Sequence, residues 1–481
     1  MWTDPEQCYR AFAAHDPRFD GRVYVGVSST GIYCRPVCRV RLPKAANCRF
    51  FAHAAAAEAA GFRPCLRCRP ELAPGLAPVD APERLALACA RALEADPCGE
   101  RSLAEIATAL GVSDRHLRRV FEHCYGVRPI EYAQTQRLLL AKRLLTDTRL
   151  PLTEVAYASG FRSLRRFQAT LQSRYRLSAG DIRRQGVPAD RELRFSLGYR
   201  GHYDFAGMLA FLAPRAVAGV ERVQDQCYQR CLRIETGGRR HQGWISLRHR
   251  EGLIELALAP ELAAAALPVL ARVRRLLDLD ADVEAIAAGL GSFARRPGLR
   301  VPGAVDGFEV AVRAVLGQLV SVAQAQRFAA WIAAHMGTPL DTPLPGLNRL
   351  FPSAAELAAQ APEAFHGSGI ARPRVAAILA LARAVRDGEL RLDPGADPTR
   401  TRAALRALPG FGEWTVEYVA MRALSDPDAL PASDLGLKKA LGLSSPAAIR
   451  RAAEAWRPFR SYAVMQAWLG PLAPPEDKDP R

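Results

Sequence analysis

Apolar residues recur at helical spacing in two stretches of the chain that share one pattern. The first runs Leu103-Ala-Glu-Ile-Ala-Thr-Ala-Leu to Gly111, and the second runs Leu152-Thr-Glu-Val-Ala-Tyr-Ala-Ser to Gly160. A glycine at this point suits a turn in which the backbone takes a positive φ. Ser113 and Ser163 follow the turns, and each can cap a second helix. The pattern predicts two helix-turn-helix units joined by a long helix over about 130–146.

Other parts of the chain differ in the period of their apolar positions. Residues of about 192–265 alternate as strands do, with a helix near 204–212, and from about 266 the pattern is helical. Stretches rich in Pro and Gly or in polar residues, 73–79 and 184–189, read as linkers. We therefore predict a multidomain, mainly α protein. Its predicted parts are 1–78, a small α+β domain; 82–185; 192–265, a second small α+β domain; 266–472, all α; and a disordered tail, 473–481.

Charge and hydropathy favour a nucleic-acid-binding protein over a membrane-spanning one. The 481 residues carry 66 Lys+Arg against 49 Asp+Glu, a formal net charge of +17. Such a field favours a nucleic-acid partner without specifying a sequence. No uninterrupted apolar stretch reaches membrane-spanning length, and the chain starts without an apolar signal segment. We expect a cytoplasmic protein with no membrane partner.

Four of the 11 cysteines come as two close pairs. Cys34 and Cys38 are followed, after 26 residues, by Cys65 and Cys68. Disulfides are the alternative, but they are unusual in a reducing compartment. Two pairs joined by short loops favour one tetrahedral Zn²⁺ site. Arginines crowd these ligands and are expected to face a polyanion: Arg35, Arg39, Arg41, Arg63, Arg67 and Arg69.

The sequence around the cysteines resembles a known family. The stretches 23–39 and 60–68, with all four ligands, are similar to the amino-terminal domain of the Ada DNA-alkylation repair regulators. The resemblance implies that Cys34 accepts a methyl group from a methylated DNA phosphate, while Cys38, Cys65 and Cys68 remain ligands. Methylation would change the formal charge of the site from −2 to −1 and so tighten DNA binding. A purely structural zinc site remains an alternative.

The paired helix-turn-helix units resemble the DNA-binding domain of AraC-type transcription regulators. The second helix of each unit would enter the major groove. The candidate DNA-binding residues on these helices are Arg115, His116, Arg118, Arg119, Arg165 and Arg166. An all-helical packing module with solvated arginines is the alternative.

A Pro-Gly-x-Gly turn and a downstream aspartate mark the last part of the chain. Leu408-Pro-Gly-Phe-Gly412 is typical of a helix-hairpin-helix, whose Gly410 and Gly412 bring backbone N–H groups to a DNA phosphate. Asp434 lies some twenty residues further on. With the stretches 311–322 and 456–463, this arrangement resembles 3-methyladenine DNA glycosylase II, the AlkA type, over about 192–472. The resemblance implies that Asp434 is catalytic; a simple helix cap is the alternative.

The same resemblance assigns further roles. Leu319 would be the wedge that fills the gap left by a flipped base, with Gln318 beside it. The base pocket would be formed by Trp414, Tyr418, Trp468 and Gln318, and aromatic faces attract cationic bases. Bifunctional relatives carry lysine where this chain has Trp414, so base removal without strand cleavage is expected. The family's hairpin also binds a monovalent cation.

Together these predictions describe an Ada-type methyl acceptor, an AraC-type regulator and an AlkA-type glycosylase in one chain. The expected partners are damaged and promoter double-stranded DNA and RNA polymerase, in a cytoplasmic, nucleoid-associated protein. The competing hypothesis is a transcription regulator with structural zinc and a catalytically inactive glycosylase scaffold. No Pro-Cys-His-Arg motif occurs, so a methyltransferase domain for alkylated guanine oxygen is not expected.

Overall fold

A computed structural model describes most of the chain. The described residues are 4–16, 19–73, 84–96, 99, 101–184, 193–236, 239–393 and 396–470. The predicted tail, 473–481, and most of the two predicted linkers lie outside them. The fold is multidomain and mainly α, as predicted from the sequence.

The first part of the chain builds a small four-stranded sheet with helices on it. Its helices are α1 (Pro5–Ala13) and α2 (Ala54–Ala59), and its strands are β1 (Tyr24–Val27), β2 (Ile32–Cys34), β3 (Cys48–Phe51) and β4 (Arg63–Pro64). The strand order is β3-β1-β2-β4, antiparallel except for the β2–β4 pair. The parallel pair ends with Cys34 on β2 and brings Cys65, just after β4, to the same sheet edge.

The next part is all helical and contains both predicted helix-turn-helix units. The helices are α3 (Arg84–Ala95), α4 (Leu103–Ala109), α5 (Asp114–Tyr125), α6 (Pro129–Asp147), α7 (Leu152–Ala158), α8 (Leu164–Tyr175) and α9 (Ala179–Arg184). Gly111 and Gly160 have φ of 74° and 78°. Ser113 and Ser163 accept hydrogen bonds from the first turns of α5 and α8. The two turns, both caps and the long connecting helix are therefore confirmed.

A second, larger sheet follows. Its strands are β5 (Leu193–Leu197), β6 (Glu221–Gln224), β7 (Cys227–Thr236), β8 (Arg239–Arg250) and β9 (Leu253–Leu258), with α10 (Phe205–Leu212) between β5 and β6. The order is β5-β9-β8-β7-β6, and every pair is antiparallel. Alternation of buried and less buried residues along β5 and β9 matches the period that predicted strands here.

Helices make up the remainder. They are α11 (Ala266–Leu276), α12 (Val283–Leu290), α13 (Gly307–Leu316), α14 (Val322–Met336), α15 (Ala354–Ala358), α16 (Arg372–Arg386), α17 (Pro398–Ala407), α18 (Glu413–Arg422), α19 (Leu435–Leu441), α20 (Pro446–Ala453) and α21 (Arg460–Leu469). The Pro-Gly-x-Gly turn joins α17 to α18, so the helix-hairpin-helix is present. Within the described residues, no helix combines the length and the apolar composition needed to cross a bilayer.

Packing crosses the boundary predicted at 185–192. One apolar core includes Leu144 on α6, Val155 on α7 and Phe167 on α8, and continues through Leu256 on β9 to Met465 on α21. Helix α7 packs on a 3-10 helix, Pro260–Ala265, and α3 packs on α11. Burial of this kind is the main stabilising term in domain association. The helix-turn-helix part is therefore docked on the larger sheet rather than suspended on a linker.

Candidate functional site

The four paired cysteines come together at one edge of the small sheet. The Sγ atoms of Cys34, Cys38, Cys65 and Cys68 all lie within 4.8 Å of one another. The backbone N–H of Arg35 donates to the Cys68 Sγ at 3.3 Å, and that of Cys68 donates to the Cys65 Sγ at 3.5 Å. The donor set, its spacing and the N–H groups aimed at sulfur fit a tetrahedral Zn²⁺ site.

The cluster is sealed from solvent on most sides. Cys34 is 3% exposed, and Phe12 and Val25 pack beside it. Hydrogen bonds among the four cysteines lower the pKa of Cys65 and Cys38 and raise that of Cys34 and Cys68. Bound zinc would hold all four sulfurs as thiolates, the form that attacks carbon.

Not all of the predicted arginines face solvent. Arg39, Arg41 and Arg67 are exposed, and Arg63 is half-buried. Arg35 instead forms an ion pair with Asp20, with Nε to Oδ1 at 2.9 Å. Arg69, which also lies beside the ligands in the sequence, bonds Glu71 at 2.9 Å and Asp147 at 2.6 Å. Both of these paired guanidiniums hold the fold together.

The second helix of each helix-turn-helix unit presents its basic residues outward. Arg115, Arg118 and Arg119 on α5, and Arg165 and Arg166 on α8, are exposed, while His116 is half-buried. Arg118 pairs with Asp114 at 2.9 Å, and an Arg119 nitrogen lies 3.2 Å from the His116 Nδ1. The exposed faces fit a groove-binding role for both helices.

Asp434 sits at the start of α19 with both carboxylate oxygens engaged. Its Oδ1 accepts the backbone N–H of Leu437 at 2.8 Å and the indole N–H of Trp468 at 2.9 Å. Its Oδ2 accepts the indole N–H of Trp414 at 2.8 Å. The carboxylate is therefore both a helix cap and a group fixed in orientation by two aromatic side chains.

Aromatic rings surround that carboxylate. Trp414 stacks on Tyr418 with centroids 5.2 Å apart, and Tyr418 lies 6.1 Å from Trp468. Trp468 also stacks on Phe211, which comes from α10 at 5.9 Å. The three aromatic residues assigned from the sequence thus meet at Asp434. Such faces can hold a flipped base.

Two arginines at this pocket were not predicted. Arg422 donates to the Tyr418 hydroxyl at 2.8 Å, and Arg215 lies 3.9 Å from the centroid of the Phe211 ring. Burial acts to raise the pKa of Tyr418, but the charges of Arg422, Arg215 and Arg313 outweigh it and leave the pKa below its usual value. The pocket therefore combines stacking faces with a cationic edge. Basic residues are common throughout this chain, so its sequence offered no signal that singled these out.

The predicted wedge stands out from the surface. Leu319 is 94% exposed and has a φ of 54°, an uncommon conformation for a branched residue. Gln318 beside it donates to the Gly410 carbonyl and to the Thr415 hydroxyl, both at 2.8 Å. The side chain of Gln318 thus ties the wedge loop to the hairpin, a contact that its assignment to the base pocket did not anticipate.

The hairpin itself has the expected geometry. Gly410 has a φ of 78°, and Gly412 is the residue before α18. Neither glycine's N–H donates a hydrogen bond to another described residue. Free N–H groups at a helix start suit an anion such as a phosphate.

Comparison with known families agrees with this geometry. Residues 7–71 match the metal binding domain of Ada, 106–185 match a helix-turn-helix domain, and 194–306 match the AlkA N-terminal domain. The four-cysteine cluster is therefore a Zn²⁺ site. A full-length relative is the probable bifunctional transcriptional activator/DNA repair enzyme AlkA of Mycobacterium tuberculosis, 39% identical over 97% of both chains.

The chain belongs to this AlkA family of bifunctional activator and repair proteins. Two Escherichia coli proteins match separate parts of it. DNA-3-methyladenine glycosylase 2 is 37% identical over 57% of this chain and 96% of its own length. The bifunctional transcriptional activator/DNA repair enzyme Ada is 37% identical over 29% of this chain and 37% of its own length.

A solved structure adds support for the fold. The 3-methyladenine DNA-glycosylase from Archaeoglobus fulgidus has a TM-score of 0.50 and 19% identity, over 57% of this chain and 97% of that one. The larger sheet and the helices after it therefore have a glycosylase fold. The family combines this fold with the zinc and helix-turn-helix parts in one chain.

Proposed function

We propose that this chain repairs alkylated DNA in two ways and uses the first to switch on transcription. A methyl group passes from a DNA methyl phosphotriester to Cys34, and alkylated purines such as 3-methyladenine are excised at Asp434. The observation that carries the second activity is the Asp434 carboxylate, held by the indoles of Trp414 and Trp468 at 2.8 and 2.9 Å inside an aromatic pocket.

Methyl transfer is a displacement at carbon. The Cys34 sulfur forms a bond to the methyl carbon, the methyl C–O bond breaks, and the electron pair leaves with an ordinary phosphodiester. Bound zinc would keep the sulfur as thiolate. Because Cys34 is buried, the approach of DNA has to open a path to its sulfur. The exposed Arg39, Arg41 and Arg67 can hold the neighbouring phosphates.

The transcriptional switch follows from the change in charge at the zinc site. Methylation removes one negative charge from a zinc site that faces DNA, so repulsion of phosphates falls and promoter affinity rises. The basic residues of α5 and α8 would then occupy successive major grooves.

Base excision needs little acid catalysis. An alkylated purine is already cationic, and it takes the electron pair of the glycosidic bond when that bond breaks. Asp434 stabilises the electron-deficient sugar and orients the water that adds to it. Trp414 stands where a lyase requires an amine, so the product is an intact strand with an abasic site.

The cationic edge of the pocket refines the substrate class. The charges of Arg215 and Arg422 disfavour a permanently charged base. Arg422 already donates to Pro302, Tyr418 and Gly303, whereas the half-buried Arg215 can donate to a base carbonyl. We therefore expect neutral alkylated bases that carry a carbonyl to compete well with cationic ones.

A monovalent cation and RNA polymerase are two further proposed partners. A monovalent cation is proposed at the hairpin between α17 and α18 from the family resemblance alone. RNA polymerase would contact the exposed apolar side chains of Ile130 and Tyr157, which are 72% and 57% exposed. A nucleoid location follows from DNA binding.

One experiment tests both activities at once. Purified protein is incubated with methylated DNA, and the protein mass and the released bases are then measured. We expect a gain of one methyl group on Cys34 and release of 3-methyladenine. Cys34→Ala should lose methyl uptake and retain excision, whereas Asp434→Asn should do the reverse. Cys48→Ala, which removes a nearby thiol that is not a ligand, is the control.

Two outcomes would contradict the proposal. Absence of methyl uptake by zinc-loaded protein would leave zinc structural, and absence of base release would support an inactive scaffold.

Cys38→Ala is expected to lose zinc, and its small domain is expected to unfold because metal binding contributes directly to the folding free energy of that domain.

A further inference from the structure

A cavity of about 550 Å³ lies where the three parts of the chain meet. Its walls include Tyr24 of the small sheet, Leu139 and Arg143 on α6, and Arg272 and Arg275 on α11. The volume is in the range of small-molecule sites in proteins. Neither the cysteine cluster nor the pocket around Asp434 contributes a wall residue. The cavity is therefore separate from both proposed activities.

The carboxylates that line the cavity already have partners. Glu71 bonds Lys142 at 2.7 Å, Glu94 accepts the Tyr132 hydroxyl at 2.5 Å, Glu235 pairs with Arg240 at 3.4 Å, Asp278 accepts the Tyr462 hydroxyl at 2.8 Å, Asp280 pairs with Arg274, Asp306 caps α13, and Asp393 pairs with Arg391 at 2.8 Å. Each acidic group is thus satisfied within the protein.

Three arginines that line the same cavity form no ion pair with a carboxylate of a described residue. Arg91 on α3 makes no hydrogen bond or ion pair with a described residue, and the side chains of Arg272 and Arg275 donate only to the carbonyls of Arg233 and Ala304, at 3.2 and 3.1 Å. Burial of a cation without a counter-charge is costly. These guanidiniums leave donors available for an anion.

The charges of the other two arginines act on Arg275. Burial lowers the pKa of Arg275 to about 9, and the charges of Arg272 and Arg91 add to that effect. Asp306 and Asp393 offset it only in part, since each is engaged elsewhere. Two more polar atoms at the cavity are buried without a hydrogen bond, the Nε of Arg143 and the Oγ of Ser425. A bound anion would supply the counter-charge and the acceptors that the three guanidiniums lack.

We propose that the cavity binds a nucleoside phosphate, with its phosphates on Arg91, Arg272 and Arg275. An inorganic phosphate would fill little of the space. One part of the remaining wall is aromatic and aliphatic, with Tyr24, Tyr132, Leu139 and Leu267, and it can cover a base and sugar. Guanidinium groups are the usual partners of phosphate in proteins.

Such a ligand would connect the two halves of the chain. Arg91 belongs to the helix-turn-helix part, whereas Arg272 and Arg275 belong to the glycosylase part. A ligand that bridges them binds the docked arrangement better than a separated one and shifts the population toward docking. The cavity would thereby link nucleotide levels to the geometry of a repair regulator.

The test is ligand-dependent thermal unfolding of the full chain without DNA. ATP should raise the unfolding temperature in a concentration-dependent way, while adenosine should leave it unchanged and pyrophosphate should have a smaller effect. Arg91→Gln, which removes a side chain without hydrogen bonds, should reduce the ATP shift at least severalfold. Arg272→Gln combined with Arg275→Gln should abolish it. Arg386→Gln, an exposed guanidinium that pairs with Asp387, should retain the full shift.

The unfolding temperature of each variant without ligand distinguishes loss of the binding site from damage to the fold. Relief of repulsion should leave the double variant as stable as the parent protein, or more stable. No shift with any phosphate compound at millimolar concentration would overturn the site. Equal shifts with ATP and pyrophosphate would overturn its nucleoside part, and an undiminished shift in Arg91→Gln would overturn the assigned arginines.

Discussion

Asp434 is a helix cap, and we propose that the same carboxylate is the catalytic group. The sequence suggested the two roles as alternatives, yet the geometry accommodates both. Oδ1 holds the first turn of α19, while Oδ2 faces the indole of Trp414. The cap fixes the carboxylate, and a fixed carboxylate stabilises a developing cation without reorganising.

We expect Asp434→Asn to lose excision on the order of 100-fold or more, because the negative charge needed by the sugar cation is removed. The Asn oxygen can still cap α19 through the N–H of Leu437. Its amide N–H₂, however, would face the indole N–H of Trp414, so that ring loses its acceptor. Single-turnover release of 3-methyladenine measures the loss, and binding to an abasic-site analogue should persist.

The matched control is Asp397→Asn, since Asp397 caps α17 through Oδ1 at 2.7 Å to the N–H of Arg400. The same chemical change there should leave excision intact. Near-normal excision by a folded Asp434→Asn protein would remove Asp434 from the mechanism.

Leu319 allows a second test at this scale. Its exposed side chain has no packing role, so Leu319→Ala should leave stability unchanged while slowing excision from a paired duplex about tenfold, a loss within the cost of unstacking a base. The deficit should shrink when the target base is mismatched, because such a base is easier to flip. Excision rates on both substrates provide the measurement.

Val322→Ala supplies the comparison, since Val322 is also apolar, lies nearby and is 41% exposed. It should match the parent protein on both substrates. An equal deficit in Leu319→Ala on paired and mismatched targets would argue against a wedge.

At the scale of elements, a buried carboxylate joins three parts of the regulator. Glu58 on α2 accepts hydrogen bonds from Tyr33 on β2, Thr135 on α6 and Tyr175 on α8, each at 3.1 Å. Tyr33 precedes Cys34, and Tyr175 is the last residue of α8. The strand that carries the proposed methyl acceptor is thus bonded, through one side chain, to the second helix of a helix-turn-helix unit.

This network predicts a pH-dependent stability. Burial raises the pKa of Glu58 from 4.5 to about 7. Because the pKa of this carboxyl is higher in the folded state, its contribution to the free energy of unfolding is complete below pH 4.5. That contribution is lost as the pH rises to 7, a change of about 3 kcal/mol. Glu58→Gln imitates the protonated form, so it should flatten this slope and stabilise the protein above pH 7. Denaturant unfolding across pH 4.5–8 measures it.

An exposed carboxyl offers the control. Glu122→Gln on α5 should leave the slope unchanged, since Glu122 is exposed. If Glu58→Gln and the parent protein lost stability in parallel as the pH rose, the titrating group would lie elsewhere.

Local sequence was enough for some elements and not for others. The turns at Gly111 and Gly160 and the caps at Ser113 and Ser163 depend on neighbouring residues only, so their pattern identified them. Asp434 and its indoles were found through a family motif. The contact of Arg422 with the Phe211 ring, 5.0 Å from its centroid, and the contacts of Glu58 join residues far apart in the chain, and nothing in a local pattern reports such proximity.

At the scale of the whole molecule, the helix-turn-helix part and the glycosylase part pack against each other, whereas the sequence suggested parts separated by linkers. Val155, Ala156 and Ala158 on α7 are buried in the same core as Leu262 and the larger sheet. The glycosylase part therefore depends on the regulator part for burial of its own apolar surface. Methylation at one site and excision at another take place on one docked body.

A shortened chain tests that dependence. A protein that starts at residue 191 exposes the apolar surface that α7 covers, at a cost of about 25 cal/mol for each Å² of apolar surface that becomes exposed. We expect it to unfold at a lower temperature than the corresponding transition of the full chain and to bind a hydrophobic dye. Val155→Asp in the full chain should reproduce part of the effect, because it places an unpaired charge in the interface. Tyr157→Asp, on the exposed side of the same helix, should leave the transition unchanged. A shortened protein as stable and as free of dye binding as the full chain would mean that the two parts are energetically independent.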